Sequence, residues 1–182
     1  MTAWARQLRY GYLAYFSKPV SEQILVRHVW KHKSCRLLEI GIGSGERAKR
    51  LIQLATAASP GSTIVYTGID PFESRPSGGG MSLKLAHRTL VATGAKVRLL
   101  PGEANDALPP MANSLGPHDV VLIAGDQTDE SLVRAWFYLP RVMAAEALVF
   151  RQSAGATGDE PWTQVEPSVL ARLTQRQHRT AA

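Results

Sequence analysis

Short apolar runs alternate with helix-length segments through most of the chain. From Arg36 onward the runs are Leu37-Leu38-Glu39-Ile40-Gly41, Ser62 to Ile69, Lys96 to Leu100, Val120 to Ile123 and Ala147 to Phe150. Each is short, rich in branched side chains and bounded by Gly, Pro or Asp, which is the length and punctuation of a strand. Helical segments are predicted between them, near residues 46–58, 81–93, 103–109 and 129–143. Strands alternating with helices imply a mainly parallel sheet of about five strands, reached by right-handed crossovers and covered on both faces. The fold class is therefore α/β, a doubly wound three-layer sandwich.

The two ends of the chain follow other patterns. Residues 1–35 read as helical: Ser21-Glu22-Gln23 opens a helix after Pro19, and Ile24, Leu25, Val29 and Trp30 recur at helical spacing. The aromatic stretch Tyr10 to Phe16 before it is assigned mainly to core packing. Pro71 to Gly80 is too rich in Pro and Gly for regular structure and is expected to be a mobile loop at the carboxyl edge of the second strand. Beyond Gln152 come Gly155, Gly158 and Pro161, then a last helix near 167–178, with no obvious terminal strand pair. The organisation expected is a single domain, 1–182, with an N-terminal helical segment (1–35), a core (36–151) and a C-terminal loop and helix (152–182).

Composition narrows the class. The 182 residues are 45% hydrophobic, enough for one sizeable core, and no apolar run reaches the ~18 residues of a membrane span. The opening Met1-Thr2-Ala3-Trp4-Ala5-Arg6 lacks the order of a secretion signal, so a cytoplasmic protein is expected. The single cysteine, Cys35, excludes an internal disulfide and a cysteine-based zinc site. The net charge of +6 is uneven: residues 1–50 carry +7, residues 51–165 carry −3 and residues 166–182 carry +2. Such asymmetry draws polyanions, which keeps a basic nucleic-acid-binding protein as an alternative, although no nucleic-acid-binding module accompanies the charge.

The sharpest local feature is Glu39-Ile40-Gly41-Ile42-Gly43-Ser44-Gly45-Glu46, where a strand turns into a helix. Glycines there allow positive φ and let a ligand lie against the backbone. A dinucleotide fingerprint starting at Gly41 would need its third glycine where Glu46 stands, and an acid at that point repels a pyrophosphate. No Gly-Lys-Ser/Thr follows, so a P-loop is excluded. A ligand without phosphates remains, with a cationic amine for Glu39 and a ribose for an acid on the next strand.

Taken in order, Glu39 to Gly45, Thr67-Gly68-Ile69-Asp70, Leu100-Pro101-Gly102-Glu103-Ala104 and Asp119 to Asp126 resemble the motifs of the class I S-adenosylmethionine-dependent methyltransferases, over about residues 36–151. The resemblance implies S-adenosyl-L-methionine as cofactor, with Gly41, Gly43 and Gly45 against its methionine and ribose portion. It further implies Glu39 at the methionine end, Asp70 on the ribose hydroxyls, and Glu103 with Ala104 beside the adenine. Two readings stay open at Glu39, which can instead pair with a nearby arginine such as Arg47, and at Asp70, which can cap the loop behind it. The expected strand order is 3-2-1-4-5.

Methyl transfer needs alignment and a proton acceptor more than dedicated chemistry. In the small-molecule O-methyltransferases that the chain resembles, the fourth strand commonly ends in an acid that serves a metal or a base. Ala124 stands there, followed by Gly125 and Asp126. One carboxylate does not make a site for a hard divalent ion, so no metal is expected. Asp126 is the candidate base, with a helix cap as the competing role for it or for Thr128. His87 is a second candidate, and His118 is expected to be structural. The acceptor is expected to be a small molecule, and an exposed sheet edge would be covered by a second copy of the chain or by the last helix. A degenerate cofactor-binding module that acts through a partner is the other alternative to an enzyme.

Overall fold

A computed structural model describes residues 3–15, 19–75, 80–155 and 158–180. Helices α1 (Ala3–Tyr15) and α2 (Gln23–His32) lead into β1 (Arg36–Ile40), which turns into α3 (Glu46–Ala58). There follow β2 (Val65–Asp70), α4 (Leu83–Val91), β3 (Lys96–Pro101), α5 (Ala104–Met111) and β4 (His118–Ile123). The chain closes with α6 (Val133–Tyr138), β5 (Met143–Gln152), β6 (Trp162–Gln164) and α7 (Pro167–Thr180).

The sheet runs β3-β2-β1-β4-β5-β6. The first five strands are parallel, in the expected order, with β1 central: Leu38 pairs with Thr67 on one side and Val121 on the other. Side chains alternate across a strand, so adjacent leucines serve opposite layers. Leu37 joins Tyr66, Val120, Leu122 and Phe150 beneath α2, α3 and α4, where Leu25, Val29, Leu51, Ile52 and Leu90 are buried. Leu38 joins Ile40, Ile69, Val121 and Ile123 against α5 and α6, through Leu108 and Trp136. Each such fully buried aliphatic or aromatic side chain contributes about 1.5–3 kcal/mol.

Two expectations are corrected at the carboxyl end. β6 is a sixth strand, antiparallel to β5, with Gln152 opposite Trp162 and Phe150 opposite Gln164. At three residues between Pro161 and Pro167 it is too short to show alternation. The segment 129–143 is not one helix: 3-10 turns at Glu130–Leu132 and Leu139–Val142 flank α6, and β5 begins at Met143 rather than near residue 147. Pro140 has no amide to donate, which ends regular helix there.

At the amino end, Tyr10 stacks on Trp30 with centroids 4.5 Å apart, as core packing of the aromatic stretch requires. Tyr12 departs from that reading, being 62% exposed, on the same α1 face as exposed Trp4 and Leu8. Phe16 and residues 76–79 of the Pro/Gly-rich loop lie outside the described residues. The described part of that loop includes a 3-10 turn at Phe72–Ser74. Among the described residues no helix is long and apolar enough to cross a membrane.

Candidate functional site

Where β1 ends, the chain enters the crevice between β2 and β4. The Gly41 amide donates to the Ile69 carbonyl at 2.9 Å, and the Ala124 amide donates to the Ile40 carbonyl at 2.9 Å, so three strand ends are tied around the turn. Gly41, Gly43 and Gly45 all have positive φ (+85°, +62° and +77°), but they serve different surroundings. A β-carbon on Gly41 would lie 2.7 Å from that of Ala124 and 2.9 Å from Asp126 Oδ1. One on Gly45 would lie 2.8 Å from Met81 Sδ, whereas one on Gly43 would meet nothing within 4 Å. Gly41 and Gly45 thus permit close packing, and Gly43 is the open floor of the crevice.

Asp70, at the end of β2, is 2% exposed. Its Oδ2 accepts from the amides of Ile42 (2.8 Å) and Gly43 (3.2 Å), and its Oδ1 accepts from the Phe72 amide (2.7 Å). The carboxylate therefore holds the glycine turn in shape. Arg75 also donates to it, from Nη2 to Oδ2 at 2.5 Å, and reaches across with Nη1 to Asp126 Oδ2. Burial works against the Arg75 charge, but Asp126 and Asp70 outweigh it and hold its pKa above the ordinary value.

Glu39 is completely buried. Its Oε1 accepts from Arg47 Nε at 2.7 Å and its Oε2 from the Tyr66 hydroxyl at 2.5 Å. Arg47 Nη2 donates in turn to the Gly41 carbonyl at 2.8 Å, and its guanidinium lies 4.8 Å from the centre of the Trp162 ring. Burial pushes the Glu39 carboxyl up against the pull of Arg47 and Tyr66, and pushes the Tyr66 hydroxyl well up. Of the two roles open to Glu39 in the sequence, the structure makes the arginine pair.

Asp126 follows β4 by three residues, and its side chain is 42% exposed. The helix-capping role falls to Thr128, whose Oγ1 accepts from the Ser131 amide at 3.1 Å, while Asp129 pairs with Arg151. Gln152, not singled out in the sequence, accepts from the Gly125 amide at 3.3 Å and donates to the Gly158 carbonyl at 2.8 Å, fastening the last loop over β4. Glu103 precedes α5, and Ala104 is packed into the core. His118 is 1% exposed, held by the Val142 carbonyl (2.8 Å) and the Thr67 hydroxyl (2.9 Å), and burial lowers its pKa. His87 is exposed on α4.

Two cavities meet at Asp126. One of about 490 Å³ is lined by Gly41, Gly43, Glu46, Arg47, Asp126 and Glu160, among others. The second, about 290 Å³, is lined by Pro71, Arg75, Glu103, Asp126, Gln127, Thr128 and Ser131. Among the described residues no group of three or more His, Cys, Asp or Glu is placed to hold a metal ion.

No family model and no curated protein matches the chain. Solved structures do. Cofactor-bound Rv0187 from MTB is 19% identical, with a TM-score of 0.53 over 98% of this chain and 76% of that one. The O-methyltransferase TomG from Streptomyces achromogenes, involved in tomaymycin synthesis and solved in complex with SAM, is 18% identical, with a TM-score of 0.55 over 96% and 76%. The O-methyltransferase from Bacillus cereus in complex with SAH is 15% identical, with a TM-score of 0.54 over 98% and 77%. With its sheet order and its high structural overlap, the chain shares the fold of these solved structures, two of which are O-methyltransferases.

Proposed function

We propose that the protein transfers a methyl group from S-adenosyl-L-methionine to a small-molecule acceptor without a metal ion. The observation that carries this reading is the open backbone at Gly43, lying between two acids, Asp70 and Asp126, where the carboxyl ends of β1, β2 and β4 meet. Open α/β sheets bind ligands at that edge. A β-carbon at Gly43 would intrude into the space, so the cradle suits a group that lies directly on the backbone. Solved neighbours of the same fold hold SAM or SAH, which supports this cofactor over NAD and favours an enzyme over a bare binding module or a nucleic-acid binder.

In this reading the turn Gly41 to Gly45 carries the methionine portion, Asp70 reads the ribose hydroxyls, and Glu103 with the start of α5 at Ala104 borders the adenine. Glu39 acts at one remove, holding Arg47 and through it the Gly41 carbonyl. The bound cofactor supplies an electrophilic methyl on a sulfonium. Asp126 Oδ1 or Oδ2 accepts the proton that the acceptor loses, from the wall of the larger cavity. Among the described residues no group of three or more His, Cys, Asp or Glu gathers there as a hard divalent ion would need, which supports a metal-free site.

Titration calorimetry with S-adenosylhomocysteine and with NAD tests the cofactor, and labelled methyl transfer into a small-metabolite extract containing chelator tests the reaction. Binding of S-adenosylhomocysteine and a labelled product are expected. Asp126→Asn is expected to lower turnover about 10²-fold or more without weakening cofactor binding. Tighter binding of NAD, or the absence of any labelled product, would overturn the reading.

A further inference from the structure

The two cavities share Asp126, and the side chain bonded to Asp126 is Arg75. Arg75 lines the smaller, Gly43 lines the larger, and Asp126 borders both. On the proposed reading, a nucleoside joined to an amino acid needs the Asp70 carboxylate for its ribose and the space beside Asp126. In this structure the guanidinium of Arg75 holds both carboxylates, bonded to Asp70 on one side and to Asp126 on the other. We propose that Arg75 is a latch: its bridge occupies both acids, competes with the ribose hydroxyls for the Asp70 carboxylate, and withdraws when the cofactor enters. The proposal rests on the methyltransferase reading of the same site and adds its regulation.

Three details fit a contact built to be released. Arg75 Nε is buried with no hydrogen-bond partner, so the bridged state leaves one polar group unsatisfied. Phe72, three residues earlier in the turn that presents Arg75, has φ +52°, a strained value for a bulky residue. Gly80 closes over the arginine from the other side, and a β-carbon there would lie 3.0 Å from the Phe72 carbonyl and 3.4 Å from Arg75 Nε. Asp70 loses little when the latch opens, because the three backbone amides stay on its oxygens. Asp126 is returned to solvent and to the acceptor. Cofactor entry and release of the proposed base are thereby one event.

A ligand that binds only the open state has its apparent affinity reduced by the fraction of molecules that are open. The experiment is calorimetry and stopped-flow binding of S-adenosylhomocysteine to the full chain, to Arg75→Ala, to Arg75→Gln and to Asp126→Asn, with circular dichroism confirming that each variant is folded. If about one molecule in ten is open, both Arg75 variants should bind about tenfold more tightly, with faster association. Asp126→Asn, which removes one of the two anchors, should gain several-fold on the same argument. Unchanged or weaker binding in the Arg75 variants would overturn the latch while leaving the methyltransferase reading standing, since Arg75 would then be inert or a cofactor ligand. Tightening in those variants with none in Asp126→Asn would overturn the two-sided bridge. Absence of binding in the parent and in every variant would overturn both the latch and the cofactor reading.

Discussion

Two arginines at the carboxyl edge of the sheet are equally covered, each with 14% of its side chain exposed, yet they are held in opposite ways. Arg47 faces a fully buried carboxylate, its Nε and Nη2 are both bonded, and the second oxygen of Glu39 is taken by Tyr66. Arg75 spans two carboxylates, one of them 42% exposed, and its Nε has no partner. Exposure of the arginine itself therefore does not tell a fastener from a switch. What separates them is that one partner of Arg75, Asp126, has water to return to and the other, Asp70, keeps three backbone amides, whereas Glu39 has neither.

The hardest test of that contrast is Glu39→Ala. It leaves the Arg47 charge largely buried without its carboxylate and should cost about 3–5 kcal/mol of stability. Urea denaturation measures it, and adding Arg47→Met to the same chain should recover a large part of the loss. In the same assay Arg75→Ala should cost clearly less, because three backbone amides stay on Asp70 and Asp126 returns to water. Equal losses at the two sites would erase the distinction.

Acid unfolding sharpens the comparison from outside it. His28 on α2 is buried against Phe150 and His32, and burial, followed by repulsion from His32, lowers its pKa to about 4. The unfolded chain therefore takes up a proton below the usual histidine value of about 6.5 that the folded chain refuses until about pH 4. Stability is complete above that window and falls as the pH drops through it, by about 2–3 kcal/mol. His118, lowered in the same direction, adds to the slope. Denaturation midpoints between pH 7 and 4.5 should show this limb, and His28→Gln should flatten it while leaving both arginine systems in place. A limb unchanged in His28→Gln would return acid sensitivity to the carboxylates.

The smallest effect separates the glycines. Gly43→Ala meets no neighbour and bears only a left-handed backbone, about 1 kcal/mol, yet it fills the proposed cradle. It should weaken S-adenosylhomocysteine binding far more than it lowers the melting temperature. Gly41→Ala, pressed against Ala124 and Asp126, should do the reverse. A Gly43→Ala protein with full affinity would remove the backbone cradle from the proposal.

The five parallel strands were legible because each apolar run is separated from the next by a helix-length segment, and length decides between strand and helix when periodicity does not. β6 was not, since three residues carry no period. Among site residues, Asp70 and the glycine turn announce themselves by standing where a strand ends. Arg47 was visible as a possible partner because it lies only two residues past the last glycine of the turn. Arg75 was hidden: its significance depends on Asp126, 51 residues later, which only the crossover from β3 through β4 brings opposite. The capping role of Thr128 rather than Asp126 likewise needed the local geometry, because both residues sit within reach of the same turn.

The central place of β1 has a consequence for how the chain is made. Its backbone bonds on one side go to β2, about 30 residues away, but on the other to β4, and the Cys35 and Arg36 amides end on Asp119 Oδ2, 84 and 83 residues later. A chain emerging from the ribosome can therefore assemble β1, β2 and β3 while the inner edge of β1, Leu37 to Ile40, still presents unpaired amides and carbonyls. Until residue 123 is free, that edge of β1 is an open template for other chains. Yield in the cell is then set by how quickly β4 arrives, and slowing translation between residues 70 and 123 should favour aggregation over soluble product.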